Sequence, residues 1–165
     1  MIPERVVLHE DEGTNSHTDV MVLCANDSGL CVINVEGKVD EDFGPSVEER
    51  KIGASKGKVS RLNDLQTLLG VSPFESTIRH QLLRRTASAL LAAREFQARA
   101  AVMLIHSFGS KPTLRTDFNA FSTALETREI SPGLYSVPSF EAPRLLLAWC
   151  DGDKRFLEAE LPGGF

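Results

Sequence analysis

The segment Thr18–Val39 constrains the fold more than any other part of the sequence, because it predicts a β-hairpin with a defined register. Alternating and β-branched residues predict strands over Thr18–Ala25 and Leu30–Val39. The stretch NDSG between them, Asn26–Gly29, is typical of a tight turn. The hairpin therefore defines which side chains of the two strands can meet.

The register follows from the length of the turn. A two-residue loop places Cys24 opposite Cys31 and Asp19 opposite Glu36. A three-residue loop with a bulge shifts the register by one residue and leaves Asp19 diagonal to Glu36, still within cross-strand reach. Both loops predict that these two carboxylates are neighbours.

The two faces of the hairpin differ in composition, because side chains alternate along a strand. One face is apolar throughout and is expected to be the core face: Val20, Val22, Cys24, Cys31, Ile33, Val35, Gly37 and Val39. The other face is apolar near the turn and charged at its far end: Asp19, Met21, Leu23, Leu30, Val32, Asn34, Glu36 and Lys38.

The charged end of the second face suggests a site. Two adjacent carboxylates repel each other, but Asp19 and Glu36 become compatible when a divalent cation with a preference for hard oxygen ligands lies between them. Lys38 is on the same face, where an ammonium group can orient a water molecule or stabilise charge on a phosphate. The alternative is a solvent-exposed ladder of salt bridges, which contributes little to stability.

This arrangement resembles a known signature. An aspartate on one strand followed by Glu-x-Lys on the next resembles the PD-(D/E)XK motif of restriction-endonuclease-like nucleases, over about residues 15–107. The resemblance implies a mixed sheet flanked by helices and Mg²⁺ or Mn²⁺ bound by Asp19 and Glu36. It also implies that Lys38 assists the attacking water, that Gln81 on the following helix supports the site, and that the substrate is DNA or RNA.

A second resemblance covers most of the chain. The stretches VEGKVDEDFGP, HQLLRRTASAL and AVMLIHSF are similar to a bacterial family described only as a domain of unknown function. That resemblance implies no activity. A catalytically inactive, nuclease-like scaffold that binds a protein partner or a second copy of itself is therefore the alternative function.

The rest of the chain predicts an α/β (α+β) fold in a single domain, residues 1–165. Residues 44–58 are expected to be a loop. The predicted elements that follow are helices Val59–Leu69 and Phe74–Gln97, a buried strand Ala101–Ser107, a helix over 113–125, a short edge strand over 133–137, and a final hairpin turned at 151–153.

Charge limits the binding partners. The formal net charge of -5 argues against a protein that coats nucleic acid by bulk electrostatics. A local basic patch remains available for phosphate contacts and consists of Lys51, Lys56, Lys58, Arg61 and Arg85. A solvated basic loop is the alternative interpretation of the same residues.

The chain is expected to be cytoplasmic and not to enter a membrane. It has no apolar run long enough to span a bilayer, and its first residues lack the pattern of a signal peptide. The three cysteines have no metal-site spacing and are expected to be reduced, with Cys24 and Cys31 as buried thiols.

Overall fold

The computed structural model describes residues 2–7, 16–71, 76–109 and 111–157. The strands are β1 Ile2–Val7, β2 Ser16–Asn26, β3 Gly29–Lys38, β4 Ala100–Ser107, β5 Arg128–Ser131, β6 Leu134–Glu141 and β7 Arg144–Asp151. The helices are α1 Val47–Lys51, α2 Lys56–Leu68, α3 His80–Glu95 and α4 Pro112–Ala124, followed by a short 3-10 helix over Lys154–Leu157.

The strands form one mixed sheet, which confirms the predicted α+β class. Its order is β1-β2-β3-β4-β7-β6-β5. Strands β3, β4 and β7 are parallel neighbours in the middle, and antiparallel pairs extend the sheet on both sides. Helices α1, α2 and α3 lie in the connection from β3 to β4, because parallel neighbours need a long crossover.

Helices α3 and α4 cover the same face of the sheet. The side chains of Glu36, Ile105 and Trp149 share that face, because these residues are in register across β3, β4 and β7. Helix α3 contacts Glu36, and the ring of Phe118 in α4 packs edge-on to Trp149 with centroids 5.3 Å apart. Helix α2 packs against α3, so it adds to the helical layer.

The hairpin has the predicted two-residue turn. Asn26 pairs with Gly29, and the register places Cys24 opposite Cys31 and continues to the pair Val20–Val35. The bulged alternative is therefore wrong. The agreement has a local cause, since a two-residue turn sets the pairing of both strands that it joins.

The prediction of the core face was wrong. The buried face is the mixed one, with Met21, Val32, Asn34, Glu36 and Lys38 all nearly inaccessible to solvent. The uniformly apolar face is only partly covered: Val20, Val22, Cys31, Ile33 and Val35 are half-buried, and Cys24 and Val39 are exposed. The reason is that α3 packs onto the mixed face, and no described helix covers the other one.

Two further predictions were wrong near the C-terminal end of the described chain. Strand β6, predicted as an edge strand, lies between β5 and β7. The final hairpin does not turn at 151–153, because β7 already pairs with β4 and β6 and leaves no edge for a returning strand. The chain instead enters the 3-10 helix, where an oxygen of Asp153 accepts a hydrogen bond from the Arg155 N–H at 3.0 Å. The last residues of the predicted return strand lie outside the described part.

The segment predicted as a loop contains a helix. Ser46 caps α1 through a reciprocal pair: its hydroxyl accepts from the Glu49 N–H at 3.2 Å, and its own N–H donates to the Glu49 carboxylate at 2.6 Å. Ser-x-x-Glu is the sequence signal for this capping box. The predicted helix Phe74–Gln97 begins only at His80, and residues 72–75 lie outside the described part.

Within the described ranges, no helix is both long enough and apolar enough to cross a membrane.

Candidate functional site

The candidate site is built around Glu36, near the carboxyl end of the parallel strand β3. Its side chain points toward α3, and the residue is 4% exposed. An ionised carboxylate at such a position requires cationic or hydrogen-bonding partners, because its desolvation is unfavourable by several kcal/mol. The composition of its surroundings is therefore the main evidence on what the site does.

Three side chains bind the two oxygens of Glu36. The amide of Gln81 donates to Oε1 at 2.6 Å, and the ammonium group of Lys38 lies 3.2 Å from the same oxygen. The guanidinium Nε of Arg85 donates to Oε2. The sequence predicts a site with Glu36, Lys38 and Gln81, and the structure brings these three together. Arg85, predicted only as part of the basic patch, also contacts Glu36.

Helix α3 supplies Gln81 and Arg85 from one side. Residues that are four positions apart in a helix lie one turn from each other on the same face. The helix is held on the sheet by apolar side chains that are completely buried, among them Leu82, Leu83 and Leu90. The spacing of Gln81 and Arg85 was the available signal that both reach the same strand residue.

Lys38 is enclosed by groups that favour its positive charge. It is 3% exposed, and its ammonium group lies 3.5 Å from Glu41 and 5.3 Å from the ring centre of Phe43. Burial alone would raise the pKa of the Glu41 carboxyl. Backbone N–H groups of Glu41 and Val39, together with the Lys38 ammonium, hold that pKa below its usual value. The Lys38 ammonium is thus paired with two carboxylates, one buried and one exposed.

Asp19 lies beside this network but does not join it. The register of the hairpin would pair Thr18 with Gly37, yet the β2–β3 ladder ends at Val20–Val35. The carboxylate of Asp19 instead accepts the Gly37 N–H at 2.8 Å. Asp19 is exposed, whereas Glu36 is buried. The side chain of Asp19 thus replaces a backbone partner at the end of the ladder.

The described residues hold no group of three or more His, Cys, Asp or Glu side chains that could bind a metal ion. The predicted pair of Asp19 and Glu36 is smaller than such a group.

The mixed face of β3 carries a further polar side chain on the turn side of Glu36. Asn34 is two residues earlier on the same strand face, and Ser88 is on the next turn of α3 after Arg85. Asn34 is 2% exposed and Ser88 is fully buried. Both amide atoms of Asn34 and the hydroxyl of Ser88 lack a hydrogen-bond partner within the described residues. The interior between β3 and α3 is therefore polar beyond the ion pairs.

The residues of the predicted basic patch separate into two groups. Lys51, Lys56 and Lys58 are exposed on α1 and α2, and Arg61 is half-buried on α2. Arg85 faces the interior instead.

The helices bring another arginine toward Arg61. Burial is the first cause that lowers the pKa of the Arg84 guanidinium, followed by the positive charges of Arg85, Arg50 and Arg61. Positive charge is thus concentrated where α1, α2 and α3 meet, on the helical side of the Glu36 site.

A shallow depression of about 540 Å³ lies elsewhere, between the end of α4 and strands β5 and β6. Asn119, Glu126, Arg128 and Tyr135 are among its lining residues. None of the residues that line it contacts Glu36, so its shape says nothing about the chemistry of the site.

Fold and site together define an α+β protein with one mixed sheet and a buried charged network between β3 and α3. The chain belongs to the family described as "Domain of unknown function (DUF6946)", whose model matches residues 1–154. Neither the curated proteins nor the solved structures contain a significant match.

Replacement of Arg85 tests the energetic role of the network. We expect Arg85→Leu to lower the free energy of unfolding by about 3 kcal/mol, because it leaves one oxygen of a buried carboxylate without its cation. Urea denaturation measures the change. Arg94→Leu, an exposed position on the same helix, is the control and is expected to change stability by less than about 1 kcal/mol. Equal effects of the two substitutions would contradict this interpretation.

The lowered pKa of His80 predicts that the stability of the protein depends on pH. Burial, followed by the charges of Arg50 and Arg84, lowers the pKa of His80 from 6.5 to about 4. The unfolded chain therefore binds this proton more readily, and stability falls as the pH decreases from 6.5 to about 4. Because solvent screens a half-buried position, we expect the free energy of unfolding to decrease by about 1–2 kcal/mol.

Urea denaturation at a series of pH values measures this loss. The variant His80→Gln removes the titrating group, so the difference between wild type and variant isolates its contribution. A constant difference across the range would rule out the assignment.

Proposed function

We propose that this protein is a divalent-metal-dependent phosphodiesterase of the restriction-endonuclease-like type, acting on DNA or RNA. The observation that carries the proposal is the convergence of Glu36, Lys38 and Gln81 at one point, with contacts of 2.6 and 3.2 Å to a single carboxylate oxygen. The resemblance implies this combination of an acid, a lysine and a helical glutamine.

The connectivity around the site also supports the proposal. The antiparallel hairpin β2–β3 carries Asp19 and the Glu-x-Lys pair. Helix α3 follows and carries Gln81, and strand β4 then runs parallel to β3. A helix and a further strand after the hairpin are what the resemblance implies.

The donor chemistry suits Mg²⁺ or Mn²⁺. Glu36 and Asp19 offer carboxylate oxygens, which these ions prefer over nitrogen or sulfur, and Asp19 would have to leave the Gly37 N–H to join Glu36 at an ion. An ion held there would supply Lewis acidity to a phosphate and lower the pKa of a bound water. Because Arg85 contacts Oε2 of Glu36, cation binding requires this guanidinium to move away.

The side chains of the network have distinct roles in this proposal. The Lys38 ammonium orients the attacking water and stabilises charge that develops on the phosphate. The Gln81 amide holds Oε1 of Glu36 in place. Arg85, once released, contacts a phosphate of the substrate, since a guanidinium fits phosphate oxygens in two-point contacts.

The exposed lysines of α1 and α2 serve as the secondary contacts. Lys51, Lys56 and Lys58 give a sequence-independent attraction to the nucleic-acid backbone. We place this activity in the cytoplasm, where nucleic acid and Mg²⁺ are both present.

A cleavage assay tests the proposal. Purified protein is incubated with plasmid DNA, single-stranded DNA and RNA in Mg²⁺ or Mn²⁺. We expect cleavage by wild type and a loss of at least about 100-fold in Lys38→Met, which keeps the side-chain volume and removes the charge. Lys111→Met is the matched control, because Lys111 is exposed and its ion partner is Asp42.

Circular dichroism establishes that both variants are folded. Absence of cleavage by wild type on all three substrates would refute the catalytic proposal, and so would full activity in a folded Lys38→Met variant.

A second candidate function is an inactive nuclease-like scaffold that binds another protein or a second copy of the chain. The observation that favours it is the closed state of Glu36, since both of its oxygens already bind side chains. A carboxylate that serves only to hold α3 on β3 needs exactly such partners and no cation.

Calorimetric titration with Mn²⁺ distinguishes the two functions. If the protein is a metal-dependent phosphodiesterase, we expect wild type to bind Mn²⁺ with a Kd between about 1 μM and 1 mM, which corresponds to a binding free energy of about -8 to -4 kcal/mol. We expect Glu36→Gln to lose this binding. Glu126→Gln, on the remote depression, is expected to bind like wild type. Absence of Mn²⁺ binding to wild type would favour the scaffold.

A further inference from the structure

The two cysteines of the hairpin lie directly opposite each other. Cys24 and Cys31 are paired in the register of β2 and β3. Opposite residues of antiparallel strands have Cα atoms about 4.5 or 5.5 Å apart, depending on the hydrogen-bonding pattern. Both separations lie within the range of about 4.4–6.8 Å that a disulfide requires. The Cα separation of the pair is therefore compatible with a disulfide.

The thiols are free and near each other. The Sγ of Cys24 donates to the carbonyl of Cys31 at 3.7 Å. Burial is the first cause that raises the pKa of Cys31 to about 11, and the neighbouring Cys24, by its charge and by a hydrogen bond between the side chains, adds to it. The side chain of Cys24 therefore lies against Cys31.

The two thiols differ in access to solvent. Cys24 is exposed and Cys31 is half-buried. An oxidant therefore reaches Cys24 first, without opening the hairpin. Because Cys31 stays protonated at neutral pH, it does not compete for the first step. Once Cys24 has reacted, its contributions to the raised pKa of Cys31 are removed, which favours the second step.

We propose that Cys24 and Cys31 form a reversible disulfide by exchange with a low-molecular-weight disulfide such as oxidised glutathione. The Cys24 thiolate attacks one sulfur of that disulfide, its S–S bond breaks, and one glutathione leaves and takes up a proton. Cys31 then loses its proton, its thiolate attacks the Sγ of Cys24 in the mixed disulfide, and the second glutathione leaves as a thiol. Two protein thiols are oxidised, and one disulfide is reduced to two thiols.

The third cysteine cannot take part within the same molecule. Cys31 is in register with Ala100 of β4, and Ala100 is in register with Arg144 of β7. Cys150 lies further along β7, about 20 Å from Arg144 at about 3.3 Å per residue. Its sulfur is therefore far from the hairpin turn, so a glutathione adduct formed on Cys150 has no neighbouring protein thiol to displace it.

Mass spectrometry tests the proposal. Dilute protein is incubated with excess oxidised glutathione, and the remaining thiols are then alkylated. We expect the peptide map to link Cys24 to Cys31 with the loss of two hydrogen atoms, and to show Cys150, which is also exposed, as a free thiol or as its glutathione adduct. Reduced glutathione is expected to restore all three thiols, because exposed disulfides are readily reducible.

Three variants make the result specific. Cys150→Ser is expected to form the same disulfide as wild type. Cys31→Ser is expected to stop at the glutathione adduct of Cys24, and Cys24→Ser is expected to form no disulfide within the protein. In wild type, a lasting adduct on Cys24, a disulfide between two molecules, or three unreacted thiols would each overturn the proposal. The readout does not depend on any nuclease activity.

Discussion

The burial of the Glu36 carboxylate against α3 is the interaction on which the rest of the structure depends. A lone carboxylate at this depth would be unfavourable by several kcal/mol, and only the convergence of Lys38, Gln81 and Arg85 offsets that cost. One partner comes from the same strand and two come from one face of α3. These contacts and the buried apolar side chains of α3 together set the rotation of the helix on the sheet.

The same contacts create a conflict between stability and activity. The side chains that bind the Glu36 carboxylate also occupy the oxygens that a cation would need. Whether a cation can bind depends on Arg85, because its guanidinium contacts Oε2. An enzyme would have to exchange a guanidinium for a metal ion at a buried carboxylate. A scaffold would keep the guanidinium permanently. Functional sites are commonly less stable than the rest of a protein could make them. The network therefore fits an enzyme as well as a scaffold.

Strand β3 carries two separate chemistries. Cys31, near the turn, and Glu36, near the carboxyl end, lie on opposite faces of the strand and are about 17 Å apart at about 3.3 Å per residue. The thiol pair lies on the face that no described helix covers, whereas the charged network lies under α3. Oxidation at the turn and ion pairing under the helix can therefore be studied independently.

The sequence by itself determined the features that depend on neighbours along the chain. The turn at Asp27-Ser28 set the register of the hairpin, alternation placed Glu36 and Lys38 on one face, and helical spacing placed Gln81 one turn from Arg85. These are local geometric relations that do not depend on the rest of the fold.

Only the tertiary structure decided which face of the hairpin is buried. Composition favoured the apolar face, but the docking of α3 covered the mixed one, because ion pairs with the helix compensate the buried charges. The β2–β3 ladder also ends at the pair Val20–Val35, and the Asp19 carboxylate binds the Gly37 N–H. Both outcomes depend on long-range contacts, which the pattern of a single strand does not contain.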